Sequence, residues 1–150
     1  MLTIPTLLKK FKALNTDKII DESFQENSDK FEAKNRAQML TGQNKQGDKI
    51  SPRYRNNKYA RVKNEMNPAP GLGVPDLKIT GAFQRSLRAD LVGDTIKIES
   101  TDRKNEWLEP KYRGIFGLGG EFKSAFISQD LRPVIHSKIS NFTGLKFSTK

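Results

Sequence analysis

The clearest pattern of apolar and polar positions lies just past the middle of the chain and predicts two β-strands. Apolar residues occupy every second position over residues 87–91 and again over 96–98, with charged residues between them. This period of two is typical of strands that bury one face. Gly93 and Asp94 separate the two segments and predict a tight turn, so the simplest structure is an antiparallel hairpin.

The residues before the hairpin predict a turn that directs side chains inward. Thr80 and Gly81 precede the segment "AFQRSL", and glycine allows the chain to turn there at low steric cost. We therefore expect Phe83 and Leu87 to face the core.

Apolar residues at helical spacing predict helices near the N-terminus. Residues 1–15 are expected to form a short helix or a docking arm that follows Pro5. Residues 16–40 are expected to form one long helix with Thr16 or Asp17 as its N-cap. The apolar stripe of this helix is narrow, so the helix needs a sheet or a neighbouring subunit to stabilise it.

Two further helical segments are expected after the hairpin. The first is a helical turn that carries Trp107 and ends at Pro110. The second has an apolar stripe over residues 122–139. Pro133 within this stripe predicts a break or a new helix near residue 130, because proline is tolerated only in the first turn of a helix.

Glycine and proline interrupt every long periodic run in residues 41–75, which predicts an extended loop. The expected exception is a short helix that begins at Pro52. Such a helix would place Tyr54, Lys58 and Arg61 near one face.

These elements together predict an α+β fold, with a small antiparallel sheet, a long N-terminal helix, a long extended loop and a closing C-terminal helix. The chain has 150 residues, 35% of them apolar, and a mean hydropathy of −0.69. We expect residues 1–150 to form a single domain with a modest core and extended arms. The hairpin and C-terminal helices are assigned to residues 76–140, and residues 141–150 to a tail.

Composition excludes several classes of protein. No apolar run approaches the ~20 residues that cross a bilayer, and lysines interrupt the opening segment before a signal peptide could form. The chain has no cysteine, so disulfides and cysteine metal sites are excluded. We therefore expect a soluble, unprocessed protein with no membrane partner, and the composition is compatible with a reducing cytoplasm.

The net charge of +10 is concentrated in two parts of the chain. Residues 41–75 hold seven basic and two acidic residues, residues 114–150 hold five and two, and the other segments are nearly balanced. The first excess lies in "KISPRYRNNKYARVK", where two tyrosines are interleaved with the cations.

Such a segment can bind phosphates while its tyrosines stack on bases. It can equally be a solvated loop or a surface that docks on an acidic protein, which we favour because no compact nucleic-acid-binding motif accompanies it. The candidate interaction residues are Arg53, Tyr54, Arg55, Lys58, Arg61 and Lys63.

The glycine-rich segment "GIFGLGGEF", residues 114–122, is the strongest candidate for a phosphate-binding loop. A P-loop ends in Gly-Lys-Ser/Thr, whereas this run ends in Glu121, whose charge would repel phosphate. The spacing of its glycines does not match the dinucleotide-binding pattern either. We predict that the segment is a joint in which Phe116 and Leu118 insert into the core or a neighbour, with Glu121 favouring the N-terminus of the next helix.

Catalytic chemistry has little support elsewhere in the chain. His136 is the only histidine, which excludes a two-histidine metal site within one chain. Asp102, Glu106 and Glu109 have spacings that can share a helix face, but carboxylates among lysines usually form a solvated surface. We expect no catalytic residue, no metal site and no cofactor.

Three ordered blocks within residues 39–135 resemble the virion-morphogenesis, tail-completion and head–tail joining (neck) proteins of tailed bacteriophages. In the first block, Gly47 through Tyr54, a glycine and a proline step lead into a basic segment. The second is "TGAFQRSL" with the hairpin, and the third is the aromatic-Gly-Leu step before the closing helix. The residues that match the family's motifs are Thr80, Gly81, Phe83, Ser86, Leu87, Phe116, Gly117 and Leu118.

The resemblance implies a non-enzymatic structural protein of the virion, a ring-forming head–tail connector or tail-completion subunit. It implies a closed ring of roughly 6 or 12 copies, contacts with portal or other connector proteins and with tail proteins, and genome DNA passing nearby without sequence-specific binding. Such a protein is assembled in the bacterial host cytoplasm and lies in the neck or tail region. The alternative from the residues alone is a small basic nucleic-acid-binding protein, and a small hydrolase that uses the acidic residues near Trp107 is a third hypothesis.

Overall fold

The structure is a computed structural model that describes residues 2–78 and 80–147, and it confirms the α+β class. Two strands form an antiparallel sheet, and helices lie before and after it in the chain. In chain order the elements are α1 (Ile4–Ala13), α2 (Thr16–Gln25), α3 (Ser28–Leu40), α4 (Asn57–Met66), α5 (Ala82–Arg85), β1 (Leu87–Val92), β2 (Thr95–Ser100), α6 (Asn105–Lys111), α7 (Gly120–Ala125), a π-helical segment (Phe126–Leu131) and α8 (Arg132–Thr143).

The predicted hairpin is confirmed. Leu87 lies opposite Ser100 and Val92 lies opposite Thr95, so a two-residue turn joins β1 to β2. Gly93 in this turn has a φ of 59°, a conformation that favours glycine in two-residue hairpins. The sheet is covered by α3 and α2, which pack against β1.

Strand β1 contributes to two apolar clusters. Ala89 belongs to the smaller one, where the rings of Phe24, Phe31 and Phe126 pack edge to face with centroids 5.1–6.2 Å apart. Leu87 belongs to the larger one. The larger cluster contains Met39, Ile50, Leu77, Phe83, Leu87, Leu108, Tyr112 and Ile115.

The prediction of one helix over residues 16–40 is wrong, because the chain breaks at Asn27 between α2 and α3. The Asn27 side chain is buried and donates a hydrogen bond of 2.9 Å to a backbone carbonyl one turn earlier. In a continuous helix Phe24 and Phe31 would lie roughly 10 Å apart along the axis. With the break, the centroids of the two rings lie 5.8 Å apart. Both rings belong to the smaller apolar cluster.

The loop over residues 41–75 contains a helix, α4, but the helix does not begin at Pro52 as predicted. The carboxamide oxygen of Asn56 accepts a hydrogen bond of 3.0 Å from the N–H of Tyr59, so Asn56 is the N-cap. Tyr54 therefore lies in the extended segment before the helix and not on a helix face.

Of the two predictions about proline, one is corrected and one is confirmed. Helix α6 continues one residue past Pro110, where it was expected to end. The prediction of a break or a new helix near residue 130 is confirmed in its second form, because α8 begins at Arg132 while the chain stays helical through the π-helical segment before it. Pro133 is the second residue of α8, so it lies in the first turn, where a residue that lacks an N–H is tolerated.

The first and last helices of the chain, α1 and α8, lie side by side. Helix α1 contacts α8, and the Lys10 ammonium donates to the carbonyl of Thr143 at 3.3 Å. Helix α8 occupies the first residues of the segment that was assigned to a tail, and residues 148–150 of that tail lie outside the described residues. Among the described helices, none combines the length and the apolar character needed to cross a bilayer.

Candidate functional site: an aromatic groove with a basic rim

A groove of about 610 Å³ lies between the extended segment before α4, the segment that leads into α5, and helix α6. We call it the basic groove. Its floor belongs to the larger apolar cluster, because Leu77, Phe83, Leu108 and Tyr112 are part of both. The volume lies within the range of about 300–1,000 Å³ found for sites that enclose a small ligand.

Aromatic side chains form two walls of the basic groove. Tyr54 and Tyr59 stand on one side and pack edge to face, with centroids 4.9 Å apart. Trp107 stands on α6 and is 52% exposed. A large indole left half exposed beside an apolar floor is a common anchor for a binding partner.

The rim of the groove carries positive charge on all three segments. Among the described residues that line it, none is an aspartate or a glutamate. The potential inside a depression lined by one sign of charge is focused by the surrounding apolar walls, so the groove attracts anionic groups. The cations that line it are Arg53, Arg55, Lys78, Lys104 and Lys111.

Tyr54 is a neutral hydrogen-bonding group at the groove wall. Burial, and secondarily the negative charge of Asp76, raise the pKa of Tyr54 above its ordinary value. The phenol therefore keeps its proton throughout the physiological range, and an anion in the groove meets no opposing phenolate.

The six predicted interaction residues divide into three groups. Arg53, Tyr54 and Arg55 line the basic groove. Lys58 and Arg61 are exposed on α4 but are not part of the groove lining.

For the sixth residue, Lys63, the prediction of an exposed interaction residue is wrong. It is buried and forms an ion pair with Asp76 at 2.7 Å, and its ammonium also donates to the carbonyl of Lys78. The second carboxylate oxygen of Asp76 accepts a hydrogen bond of 3.1 Å from Asn67. Lys63 thus holds α4 against the segment that forms the groove wall and is not available to a partner.

The family-like element "TGAFQRSL" forms one side of the groove. Gly81 has a φ of 81° and precedes α5, while Phe83 and Leu87 are buried as predicted. The Ser86 hydroxyl donates to the carbonyl of Phe83 at 2.7 Å and contacts the hydroxyl of Ser100. Ser86 thereby ties the start of β1 to the end of β2, and Thr80 at the exposed end lies in the groove lining.

Two buried carboxamides that the sequence analysis missed hold the glycine-rich segment in place. Asn35 donates to the carbonyls of Ile115 and Gly117, both at 3.1 Å. Gln38 donates to the Gly117 carbonyl at 2.9 Å and accepts from the N–H of Gly119 at the same distance. The available signal was the spacing of Asn35 and Gln38, which places two amides on the helix face where apolar residues were expected.

The glycine-rich segment is a joint between the two apolar clusters. Phe116 stacks on Phe83 with centroids 6.2 Å apart, and Leu118 packs against the smaller cluster. A Cβ atom on Gly119 would lie 2.1 Å from the backbone oxygen of Lys45. The Lys45 backbone therefore leaves no room for a side chain at position 119.

The remaining candidate residues are not assembled into a reactive site. His136 stacks on Phe147 with centroids 5.4 Å apart. The carboxylate of Asp102 accepts from the N–H of Lys104 at 2.8 Å and so shapes the turn before α6. Within the described residues, no group of three histidine, cysteine, aspartate or glutamate side chains is arranged to hold a metal ion.

Comparison of the chain with protein-family models, with curated proteins and with solved structures finds no match.

Proposed function

We propose that this chain is a structural subunit of a tailed-bacteriophage neck or tail, a head–tail connector or tail-completion protein without enzymatic activity. It assembles in the host cytoplasm into a closed ring of roughly 6 or 12 copies. In the virion the ring joins portal-side to tail-side components while the genome passes nearby without sequence-specific binding.

The observation that carries the proposal is the exposed apolar side of α1. None of the residues of this helix, all of which lie in the described part of the chain, is buried. Ile4, Leu8 and Phe11 are 76%, 55% and 42% exposed. An isolated helix of this length is marginal in water, so a neighbouring subunit that covers these side chains would stabilise it.

The hairpin offers a second assembly surface. The sheet has two strands in the described residues, so the outer edge of β2 presents backbone groups that another strand can pair with. Val92 and Ile96 at the turn end are exposed. A two-stranded sheet is itself marginal, and pairing with a neighbour would extend it.

The basic groove suits a protein partner better than the DNA channel in this proposal. A lumen with many strong phosphate contacts would hold the passing genome back, because each contact adds to the affinity. We therefore orient Arg53, Arg55 and Lys111 toward a neighbouring ring.

Light scattering coupled to size-exclusion chromatography tests the proposal through α1. We expect the purified chain to form an oligomer whose mass falls to that of the monomer when Leu8→Asp and Phe11→Asp are combined. The matched control combines Thr6→Asp and Ala13→Asp, which makes the same change in net charge at exposed positions on the opposite side of the helix. A chain that stays monomeric at every concentration, or a control pair that dissociates the oligomer equally, would contradict the proposal.

A nucleic-acid-binding protein remains the second candidate, because Trp107 and five cations share one groove. Titration with duplex DNA at several salt concentrations separates the two functions. The structural proposal predicts no binding that survives moderate salt, whereas a steep linear dependence of log affinity on log salt concentration would favour the nucleic-acid-binding function.

A further inference from the structure

We infer that the basic groove is a binding site for an acidic peptide segment that carries one apolar or aromatic anchor residue. The groove lies within a single subunit, so the inference does not depend on ring formation. The inference states which chemistry a partner must have to bind this surface of a single subunit.

The anchor is implied by the apolar floor. Leu77, Phe83 and Leu108 are buried residues that also line the groove. Trp107 rises beside them and is half exposed. An inserted side chain would cover this indole and bury apolar area on both partners, which is the arrangement found at the centre of strong peptide interfaces.

The positions of the cations imply that the bound peptide is acidic. Arg53 and Arg55 lie on one wall, Lys78 on the second, and Lys104 and Lys111 at the start and the end of α6, where Lys104 is the N-cap. The charges therefore surround the apolar floor on three sides. Carboxylates on either side of the anchor residue would reach this rim while the anchor stays in the middle.

The arrangement of the rings favours a peptide over a single-stranded nucleic acid. Bases stack on successive open aromatic faces along a basic track. Here Tyr54 and Tyr59 pack against each other edge to face, and Tyr54 is partly buried. Trp107 is thus the principal open ring, which accommodates one planar or apolar group and not a series.

A peptide array measures the preference of the groove directly. The probes are synthetic peptides of about ten residues in four classes: acidic with a central phenylalanine, acidic with a central alanine, neutral with a central phenylalanine, and basic with a central phenylalanine. A single-stranded thymidine oligonucleotide is the nucleic-acid probe. Trp107 is the only tryptophan of the chain, so its emission reports whether a probe enters the groove.

We expect the acidic peptides with phenylalanine to bind best and to shift the Trp107 emission to shorter wavelength as the ring leaves water. Combining Arg55→Glu with Lys111→Glu should weaken this binding at least about tenfold. The control combines Lys123→Glu with Lys146→Glu, which makes the same change in net charge at exposed residues outside the groove lining. The control should change the affinity by less than about twofold, since distant exposed charges are screened.

Three results would overturn the inference: equal binding of all four peptide classes, equal loss of affinity in the two double variants, or binding of the oligonucleotide without binding of the acidic peptides. Failure of the ring proposal is a separate result. A monomer that binds the acidic, phenylalanine-containing peptides supports the inference even if the chain forms no ring, and a ring that binds none of them contradicts it.

Discussion

At the scale of single residues, Lys63 and Asp76 form the most deeply buried ion pair of the described residues. Hydrogen bonds from Asn67 and from the backbone N–H of Lys78 satisfy the remaining carboxylate positions of Asp76. The pair fixes α4 to the segment that leads into α5 and forms one wall of the basic groove. Removing one member of such a pair leaves a buried charge without a partner, which costs more than the pair contributes.

Lys63→Ala should therefore lower the free energy of unfolding by about 3–5 kcal/mol. Lys58→Ala, on the same helix but exposed, should change it by no more than about 0.5 kcal/mol. Urea unfolding followed by circular dichroism measures both. Equal effects of the two substitutions would mean that the buried pair does not stabilise the fold.

The sequence could predict only some of the residues that line the basic groove. Arg53, Tyr54 and Arg55 were identified because the basic excess and the tyrosines are adjacent in the chain. Trp107 and Lys111 line the same groove but lie about 50 positions further along. A count of charges along the chain could not show that these residues share one groove with Arg53 and Arg55. It also could not show that Lys63 is buried while neighbouring cations are exposed.

At the scale of elements, the hairpin was predictable and the break at Asn27 was not. The hairpin is specified by a two-residue period and a local turn. The break depends on the packing of Phe24 and Phe31 with Phe126, which is a contact made across about 100 residues of chain. Asn27 alone gives a weak signal, since asparagine also occurs within helices.

The glycine-rich joint supports a prediction at this scale. Gly119 has an ordinary extended backbone but no room for a Cβ atom, whereas Gly120 has open space and a φ of +51°. Gly119→Ala should lower the free energy of unfolding by about 3 kcal/mol or more, because the backbone near Lys45 must move. Gly120→Ala should cost only about 1–2 kcal/mol of left-handed strain.

Thermal or urea unfolding of the two variants measures the cost of the backbone clash at position 119 against the cost of left-handed strain at position 120. If Gly119→Ala were no more destabilising than Gly120→Ala, the close approach of the residue 45 backbone to the joint would be contradicted. The comparison also tests the role of the joint, because Gly119 is held between that backbone and the carboxamide of Gln38.

At the scale of the whole molecule, apolar burial within the subunit leaves several surfaces uncovered. The sequence predicted that the narrow apolar stripe of residues 16–40 needs a sheet or a neighbouring subunit, and α2 and α3 pack against β1. The first helix retains exposed Ile4, Leu8 and Phe11 beside its contact with α8. The two-stranded sheet leaves an edge on β2. Under the proposed function a neighbouring subunit covers these surfaces, and the sequence of one chain does not give the residues of that neighbour.

The central proposal is that the chain is a structural subunit of a tailed-phage neck or tail, and electron cryomicroscopy of particles purified from cultures that produce the chain tests it most directly. We predict a closed ring of this subunit at the neck or tail junction, with the apolar side of α1 covered by an adjacent copy and the basic groove facing an acidic segment of a neighbouring protein. A particle whose neck and tail contain no copy of the chain would contradict the proposal.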